Sequence, residues 1–294
     1  MRWQGRRESS NVEDRRGLSG GKIAAGGGIM GLIAIVLTLL LNNGDTSNIQ
    51  LPTMPEQPAQ SSQLSPQEEA ADNERASFVK VVLADTEDVW NKIFQESGSQ
   101  YQAPTLVLFR NVVESGCGNA SAASGPFYCP ADYKLYIDLS FYEELQNRFK
   151  APGDFAMAYV VAHEVGHHIQ KLMGTSDKMQ RLRGQVSETE YNSYSVKLEL
   201  QADFYAGVWA HHAKQIKTAD GQSIIEAEDI DEALTAAYAI GDDRLQKEAQ
   251  GYAVPESFTH GTSEQRMYWF KKGFQTGYMG QGDTFNAPSL NGGR

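Results

Sequence analysis

Apolar and polar positions follow two different periods along the chain. Apolar residues recur at helical spacing from residue 68 onward, over 155–172 and over 188–214, and these stretches are predicted to be amphipathic helices. Residues 105–109 and 134–139 form short apolar or alternating runs, which indicate strands. The pattern therefore predicts an α+β fold that is mainly helical and has a small sheet.

Two capping boxes predict where further helices start, and the composition of the last residues predicts a flexible end of the chain. Asp229 with Glu232, and Thr262 with Gln265, have the spacing of capping boxes. Residues 279–294 are rich in Gly and are predicted to be a flexible tail. We therefore expect one domain over residues 68–278.

An apolar run near the N-terminus predicts a membrane anchor. Residues 23–41 contain no charged residue, and a helix of about 20 apolar residues spans a bilayer. Residues 1–22 carry six basic and three acidic residues, which favours the cytoplasmic side for this segment. We expect a single-pass protein of the cytoplasmic membrane, with the domain in the periplasm or outside. A cleaved signal peptide is the alternative, but no small-residue cleavage site follows Leu41.

Composition adds two expectations. Residues 42–67 are rich in Pro, Ser, Gln and Asn, so they are predicted to be a flexible linker between anchor and domain. The net charge of −11 argues against a nucleic-acid partner, because an acidic surface repels phosphate. The oligomeric state is not predicted.

The chain contains two cysteines, Cys117 and Cys129. In an oxidising compartment, an even pair that closes a short loop predicts a disulfide. The alternative is two unpaired, buried thiols. Two cysteines are also too few for a cysteine-based zinc site.

The strongest chemical signal lies inside the predicted helix 155–172. His163-Glu164-Val165-Gly166-His167 reads H-E-x-x-H, and this spacing puts both imidazoles on one helix face, one turn apart. Both can reach one Zn²⁺, while Glu164 can act as the base toward a water molecule at the metal. His168 points away from this face and is predicted to be structural.

A catalytic zinc needs a third protein ligand. Glu199 is the best candidate, because it lies on the next predicted helix, which can pack against the first. Asp203 lies one turn further on and can accept the free ring N–H of a ligand histidine. The alternative is that both carboxylates are simply exposed. His211 and His212 lie too far along the helix to take part.

His260 is a candidate for stabilising negative charge in a transition state. It precedes a predicted helix on a short turn, where Gly261 permits close approach of the backbone. The alternative is that His260 only packs at this helix entrance, with Glu264 as a candidate partner. Tyrosines near the second metal helix are alternative donors: Tyr191, Tyr194 and Tyr205.

Four motifs together resemble a known family: HEVGHH, ELQAD, GPFYCPADYKLYIDLSF and FTHGTSEQRMYWF. They resemble the bacterial neutral zinc metallopeptidases of the YpfJ-like type, over nearly the whole chain to Phe274. The resemblance implies a zincin-like domain of the gluzincin kind. It also implies that the H-E-x-x-H and E-x-x-x-D motifs supply the zinc ligands, the base Glu164 and the carboxylate of Asp203.

The residues and the resemblance together predict a membrane-anchored zinc metallopeptidase that cleaves extracytoplasmic proteins or peptides. Two alternatives remain open. A zinc-stabilised, chaperone-like module would bind proteins without cutting them, although it would not need Glu164. Another zinc hydrolase, acting on peptidoglycan cross-links or a different amide, would use the same metal chemistry.

Overall fold

The computed structural model describes residues 1–17 and 64–292, and within them the predicted, mainly helical α+β fold is confirmed. The α-helices are α1 Pro66–Glu96, α2 Phe141–Asn147, α3 Asp154–Leu172, α4 Thr175–Leu182, α5 Glu188–Ala213, α6 Asp229–Ala239, α7 Asp242–Gln250 and α8 Ser263–Thr276. The strands are β1 Val12–Asp14, β2 Thr105–Phe109, β3 Val112–Ser115, β4 Gly118–Ser121, β5 Phe127–Cys129 and β6 Lys134–Asp138.

Capping chemistry explains where several helices begin. The predicted capping box of Thr262 and Gln265 is present at the start of α8. The predicted box of Asp229 and Glu232 is wrong, because α6 begins at Asp229 and its N-cap is Glu228. The Asp229 carboxylate instead accepts the backbone N–H of Glu226 at 2.6 Å, which fixes the loop before the helix.

Two sheets lie beside the helices. The larger has the order β1-β2-β6-β5, with β1, β2 and β6 parallel and β5 antiparallel to β6. The smaller is the antiparallel hairpin of β3 and β4. A disulfide between Cys117 and Cys129 connects this hairpin to β5, so the predicted pairing of the two cysteines is confirmed.

The long helices α3, α5 and α8 pack closely and form the support for the site. Two glycines permit this. A Cβ on Gly166 of α3 would lie 2.8 Å from the carbonyl oxygen of Ala202 in α5, and one on Gly273 of α8 would lie 2.0 Å from that of Phe204. Any larger residue would push the helices apart, because core packing has almost no free space.

The N-terminal segment belongs to the domain, which corrects one expectation. Residues 1–22 were predicted to lie apart, across a membrane from the domain. In the described part, Val12 pairs with Leu106 in the parallel register of β1 with β2. The α-ammonium of Met1 contacts carboxylates at the starts of α3 and α6, at 3.0 Å from Asp154 and 2.9 Å from Asp229. Residues 1–17 are therefore part of the folded domain.

The basic residues of this segment also have another role. Arg6 forms an ion pair with Asp85 of α1, and Arg16 forms one with Asp72 of the same helix at 2.7 Å. Four of the positive charges that predicted a cytoplasmic segment are thus paired with carboxylates of the domain, those of Arg2, Arg6, Arg7 and Arg16.

The predicted anchor at residues 23–41 and most of the predicted linker at 42–67 lie outside the described residues. Within residues 1–17 and 64–292, none of the helices is both long and apolar enough to cross a membrane. The end of the predicted linker is shifted, because α1 begins at Pro66, where Ser65 and Glu68 form a capping box.

The C-terminal segment is packed, so the prediction of a flexible tail is wrong for residues 279–292. Thr284 is fully buried, and its hydroxyl donates to the carbonyl of Lys197 in α5 at 2.6 Å. The indole N–H of Trp269 donates to the carbonyl of Leu290 at 3.1 Å. These contacts hold the segment against α5 and α8.

Candidate metal centre and active site

Helix α3 carries the two predicted histidine ligands. His163 and His167 lie one turn apart on the face that meets α5, and their ring centroids are 4.8 Å apart. The close approach of α5 at Gly166 brings Glu199 to the same place. The structure therefore brings together the three predicted ligands His163, His167 and Glu199.

One ligand atom from each residue lies within 4.8 Å of the others, which brings all three within reach of one zinc ion. Glu199 Oε2 lies 3.2 Å from Nε2 of His163, and Glu199 Oε1 lies 3.4 Å from Nε2 of His167. Ligands at about 2.0–2.1 Å from a tetrahedral zinc are roughly 3.3 Å from one another. Two imidazoles and one carboxylate are also a usual donor set for catalytic zinc, with one position left for substrate or water.

The charges around the ligands favour a cation. Burial disfavours the imidazolium of His163, but Asp203 and Glu199 outweigh this and raise its pKa to about 10. The pKa of His167 is also raised, because Glu199 outweighs the effect of burial. Burial opposes the negative charge of Glu199, yet the two imidazoles hold its pKa well below the usual range. The negative potential that favours a proton between the two histidines and Glu199 also favours a divalent metal ion at the same place.

Glu164 lies beside the ligands, as predicted for a base. Its side chain is largely buried and it lines the same cleft as both histidines. Burial raises its pKa, Glu199 adds to the rise, and the two imidazoles oppose it. A carboxylate with a raised pKa is a better proton acceptor near neutral pH than an exposed one.

Asp203 holds His163, as the sequence predicted. Its Oδ1 lies 2.8 Å from Nδ1 of His163, so the ring N–H donates to the carboxylate and leaves Nε2 free for a metal. Two partners of Asp203 were not predicted. Arg266 of α8 donates to both carboxylate oxygens at 2.9 and 3.1 Å, and the Tyr159 hydroxyl donates at 2.5 Å.

Arg266 carries no local sequence signal that distinguishes it from a surface arginine. It is almost fully buried, and only the packing of α8 on α3 and α5 brings it to Asp203. Gln170, which lies 2.8 Å from Nδ1 of His167, was also not predicted. Its spacing of three residues from His167 on one helix is a signal that could have been used.

His260 lies at the cleft, on the turn before α8. Its Nδ1 lies 3.2 Å from Oδ1 of Asp242, whose other oxygen accepts the backbone N–H groups of Thr259, His260 and Gly261 at 2.6–3.1 Å. The expected alternative partner Glu264 does not contact the ring among the described hydrogen bonds. Asp242 raises the pKa of His260, which favours the protonated ring.

The other candidate residues are distributed as follows. Tyr191 lines the cleft, whereas Tyr205 packs against Trp90 in the core. His168 is buried away from the cluster and lies 3.0 Å from the Tyr128 hydroxyl, and burial lowers its pKa to about 4. His211 donates to the carbonyl of Phe274 at the far end of α5.

A cleft of about 880 Å³ opens over the cluster. One wall is formed by β5 and the disulfide loop before it, and the other by α5 and His260. Among the described residues β5 is the edge strand of its sheet and pairs only with β6, and the backbone of Tyr128 in β5 is a hydrogen-bond partner of Glu164. The cleft therefore combines a three-ligand centre, a buried carboxylate and the edge strand of a sheet.

Comparisons with known proteins agree with this geometry. The model of a family described as "Putative neutral zinc metallopeptidase" matches residues 1–285. The chain is 47% identical over 293 residues to "Uncharacterized protein YpfJ" of Escherichia coli (strain K12), covering 97% of this chain and 99% of that protein. It is 45% identical over 195 residues to "Uncharacterized protein Rv2575" of Mycobacterium tuberculosis (strain ATCC 25618 / H37Rv), covering 65% of each chain. No solved structure matches the chain significantly.

Proposed function

The chain belongs to the family of neutral zinc metallopeptidases that matches residues 1–285, and on that premise we propose that it is a zinc-dependent endopeptidase. One observation carries the proposal: Glu164 lies in the same cleft as His163, His167 and Glu199, whose ligand atoms fit one zinc ion. A purely structural zinc site would be closed and would not need a carboxylate beside it. This family implies Zn²⁺ as the cofactor.

The residues of the chain have distinct roles in such a reaction. Zinc at this site would polarise a peptide carbonyl and lower the pKa of a water molecule. Glu164 takes the proton from the attacking water and transfers it to the leaving amine. Burial raises its pKa, which makes it a stronger base toward the water proton than an exposed carboxylate.

His260 is proposed to stabilise the negative charge that develops on the substrate oxygen. It lies at the cleft and carries a carboxylate partner, Asp242, on its Nδ1. This partner fixes the ring and favours its protonated form, so Nε2–H can donate toward the cleft. Donors fixed in advance toward developing charge contribute about 10²–10³-fold to a rate.

The strand edge supports an extended polypeptide as the substrate. A peptide that pairs with β5 would form backbone hydrogen bonds, and these do not depend on the sequence of the peptide. The wall that carries β5 is held by the disulfide of Cys117 with Cys129. We therefore propose that unfolded or extended polypeptide segments are the substrate class.

Attachment to the cytoplasmic membrane through residues 23–41 is part of the proposal. The support is the sequence, since the run is apolar and long enough to enter a bilayer. The disulfide supports a domain in the periplasm or outside the cell, because disulfides persist in oxidising compartments. Because β1 pairs with β2, residues 1–17 are proposed to lie on that same side.

The test is cleavage of a defined peptide library. The zinc-loaded protein is incubated with proteome-derived peptides, and new termini are identified by mass spectrometry. We expect internal cleavages that disappear when a chelator is added and return with zinc. Stable binding of peptides without any new termini would instead support a zinc-stabilised, non-catalytic module.

A further inference from the structure

A chain of buried amides runs from the metal ligand His167 to the C-terminal segment. Gln170 is 0% exposed and Gln201 is 7% exposed, and both lie between α3 and α5. Gln170 Oε1 lies 2.8 Å from Nδ1 of His167, and Gln170 Nε2 lies 3.2 Å from Gln201 Oε1. Gln201 Nε2 lies 2.9 Å from the carbonyl oxygen of Gly282.

Two backbone carbonyls, one bonded to each amide, fix the direction of every hydrogen bond in this chain. The carbonyl of Gly282 can only accept, so Gln201 must present its NH₂ to it and its oxygen to Gln170. The carbonyl of Leu198 also accepts from Gln170 Nε2, at 2.6 Å. Turning the Gln170 amide over would place its oxygen against two acceptors, which is unfavourable in a buried site. Gln170 therefore faces His167 with its oxygen.

This direction determines the tautomer of His167. Because Gln170 offers only an acceptor, Nδ1 of His167 must carry the hydrogen, and Nε2 keeps its lone pair. That Nε2 is the atom that lies 3.4 Å from Glu199 Oε1 in the ligand cluster. His163 reaches the same state through a different partner, the carboxylate of Asp203.

We propose that Gln170 is a positioning residue that holds His167 in the tautomer and orientation needed to bind zinc, and that Gln201 and the carbonyl of Gly282 hold Gln170 in turn. The proposal rests on the zinc site of the proposed function and adds its dependence on the C-terminal segment. That segment is itself fixed, because Thr284 donates to the carbonyl of Lys197 in α5. The segment predicted to be flexible thus supports the metal centre.

The first experiment measures zinc affinity by competition with a chelator. Gln170→Leu keeps the size of the side chain but removes the acceptor, and we expect affinity to fall about 10–100-fold, the usual effect of losing such a partner. Gln170→Glu keeps an acceptor for His167 but loses the donor to Leu198. It should retain most of the affinity of the parent, although its melting temperature falls. Gln95→Leu, at an exposed position of α1, is the matched control.

These variants separate positioning from a merely structural role. If Gln170 only stabilised the fold, zinc affinity would follow the melting temperature, and Gln170→Glu would lose as much affinity as Gln170→Leu. That result would overturn the proposal, as would unchanged affinity in Gln170→Leu. A parent protein that binds no zinc would instead contradict the proposed function.

A second experiment needs no variant and no activity. The ring nitrogens of His167 are observed by ¹⁵N NMR in the zinc-loaded parent, because Glu199 can accept a proton from Nε2 when no metal is bound. We expect hydrogen on Nδ1 and none on Nε2. Hydrogen on Nε2 would show that the amide chain has the opposite direction, and the proposal would be wrong.

Discussion

Nδ1 of His163 lies 2.8 Å from Oδ1 of Asp203, and both groups are buried. This contact connects the two sequence motifs of the site, since His163 belongs to α3 and Asp203 to α5. It leaves Nε2 of His163 for a metal and requires a carboxylate that stays ionised in the core. Arg266 meets that requirement with hydrogen bonds to both oxygens of Asp203.

Replacing Arg266 by Met should destabilise the protein by about 3–5 kcal/mol, because removing one member of a buried ion pair leaves the other charge uncompensated. The measurement is the free energy of unfolding from denaturant titration. Lys92→Met is the control, since Lys92 and Glu96 are exposed and 3.9 Å apart, and such pairs contribute less than about 1 kcal/mol. Equal effects of the two substitutions would contradict the role of Arg266.

The same pair predicts a pH dependence of stability. Burial opposes the ionised form of Asp203, but Arg266 and His163 outweigh it, and its pKa is lowered on folding. A lowered pKa contributes stability at pH values above the unfolded pKa, and this contribution is lost as the pH falls through the folded pKa. Arg266→Met should therefore reduce the difference in stability between neutral and acidic pH.

Glu199 and Asp203 should differ in their effects on metal binding. Glu199→Ala removes a ligand atom, whereas Asp203→Ala removes only the partner of a ligand and should weaken binding about 10–100-fold. Zinc content after dialysis and affinity by chelator competition give the comparison. If Asp203→Ala lost zinc more readily than Glu199→Ala, the two roles would have been exchanged.

His260 should determine the alkaline side of the pH–activity profile. Asp242 raises its pKa, so the protonated donor is fully present below that pKa and is lost as the pH rises through it. Asp242→Asn removes this effect, and the alkaline limb of kcat should move to lower pH. His260→Ala should lower kcat about 10²–10³-fold with little change in KM and should remove the limb.

A profile unchanged by Asp242→Asn would contradict this role of His260. A loss of kcat in His260→Ala that is matched by a lower melting temperature would instead show that His260 acts only in packing at the start of α8.

The N-terminal segment and the domain should label on the same side of the membrane. Single cysteines at the exposed positions Ser10 and Gln95 are treated in intact cells with a membrane-impermeant maleimide. Because β1 pairs with β2 and Arg6 pairs with Asp85, both positions should react to the same extent. Labelling of one position alone would contradict this packing in the cell.

The site residues that are spaced one turn apart on a single helix could be predicted from the sequence. His163, Glu164 and His167 follow helical geometry, and Glu199 with Asp203 repeats it on the next long helix. The strands predicted at 105–109 and 134–139 are observed at Thr105–Phe109 and Lys134–Asp138, where their apolar residues are buried in the sheet.

The remainder depends on contacts between distant parts of the chain. Arg266 and Gln201 contact the metal-binding helix α3 only after α5 and α8 have packed on it. Gly282 contacts Gln201 only after the C-terminal segment has packed. Strand β1 has only three residues and lies among arginines. The sequence pattern therefore indicated a basic segment on the cytoplasmic side of a membrane, and the strand was not predicted. Glycine-rich composition likewise indicated a flexible tail, although Thr284 and Leu290 fix it.

The most direct test of the central claim is the pair of parent and Glu164→Gln, measured for both zinc content and peptide hydrolysis. Glutamine keeps the size of the side chain and leaves all three ligands in place, but it cannot accept a proton at neutral pH. We predict equal zinc content and a turnover that is lower by about 10²–10⁴-fold, the usual contribution of a general base. A Glu164→Gln protein that holds zinc and cleaves as fast as the parent would contradict the account.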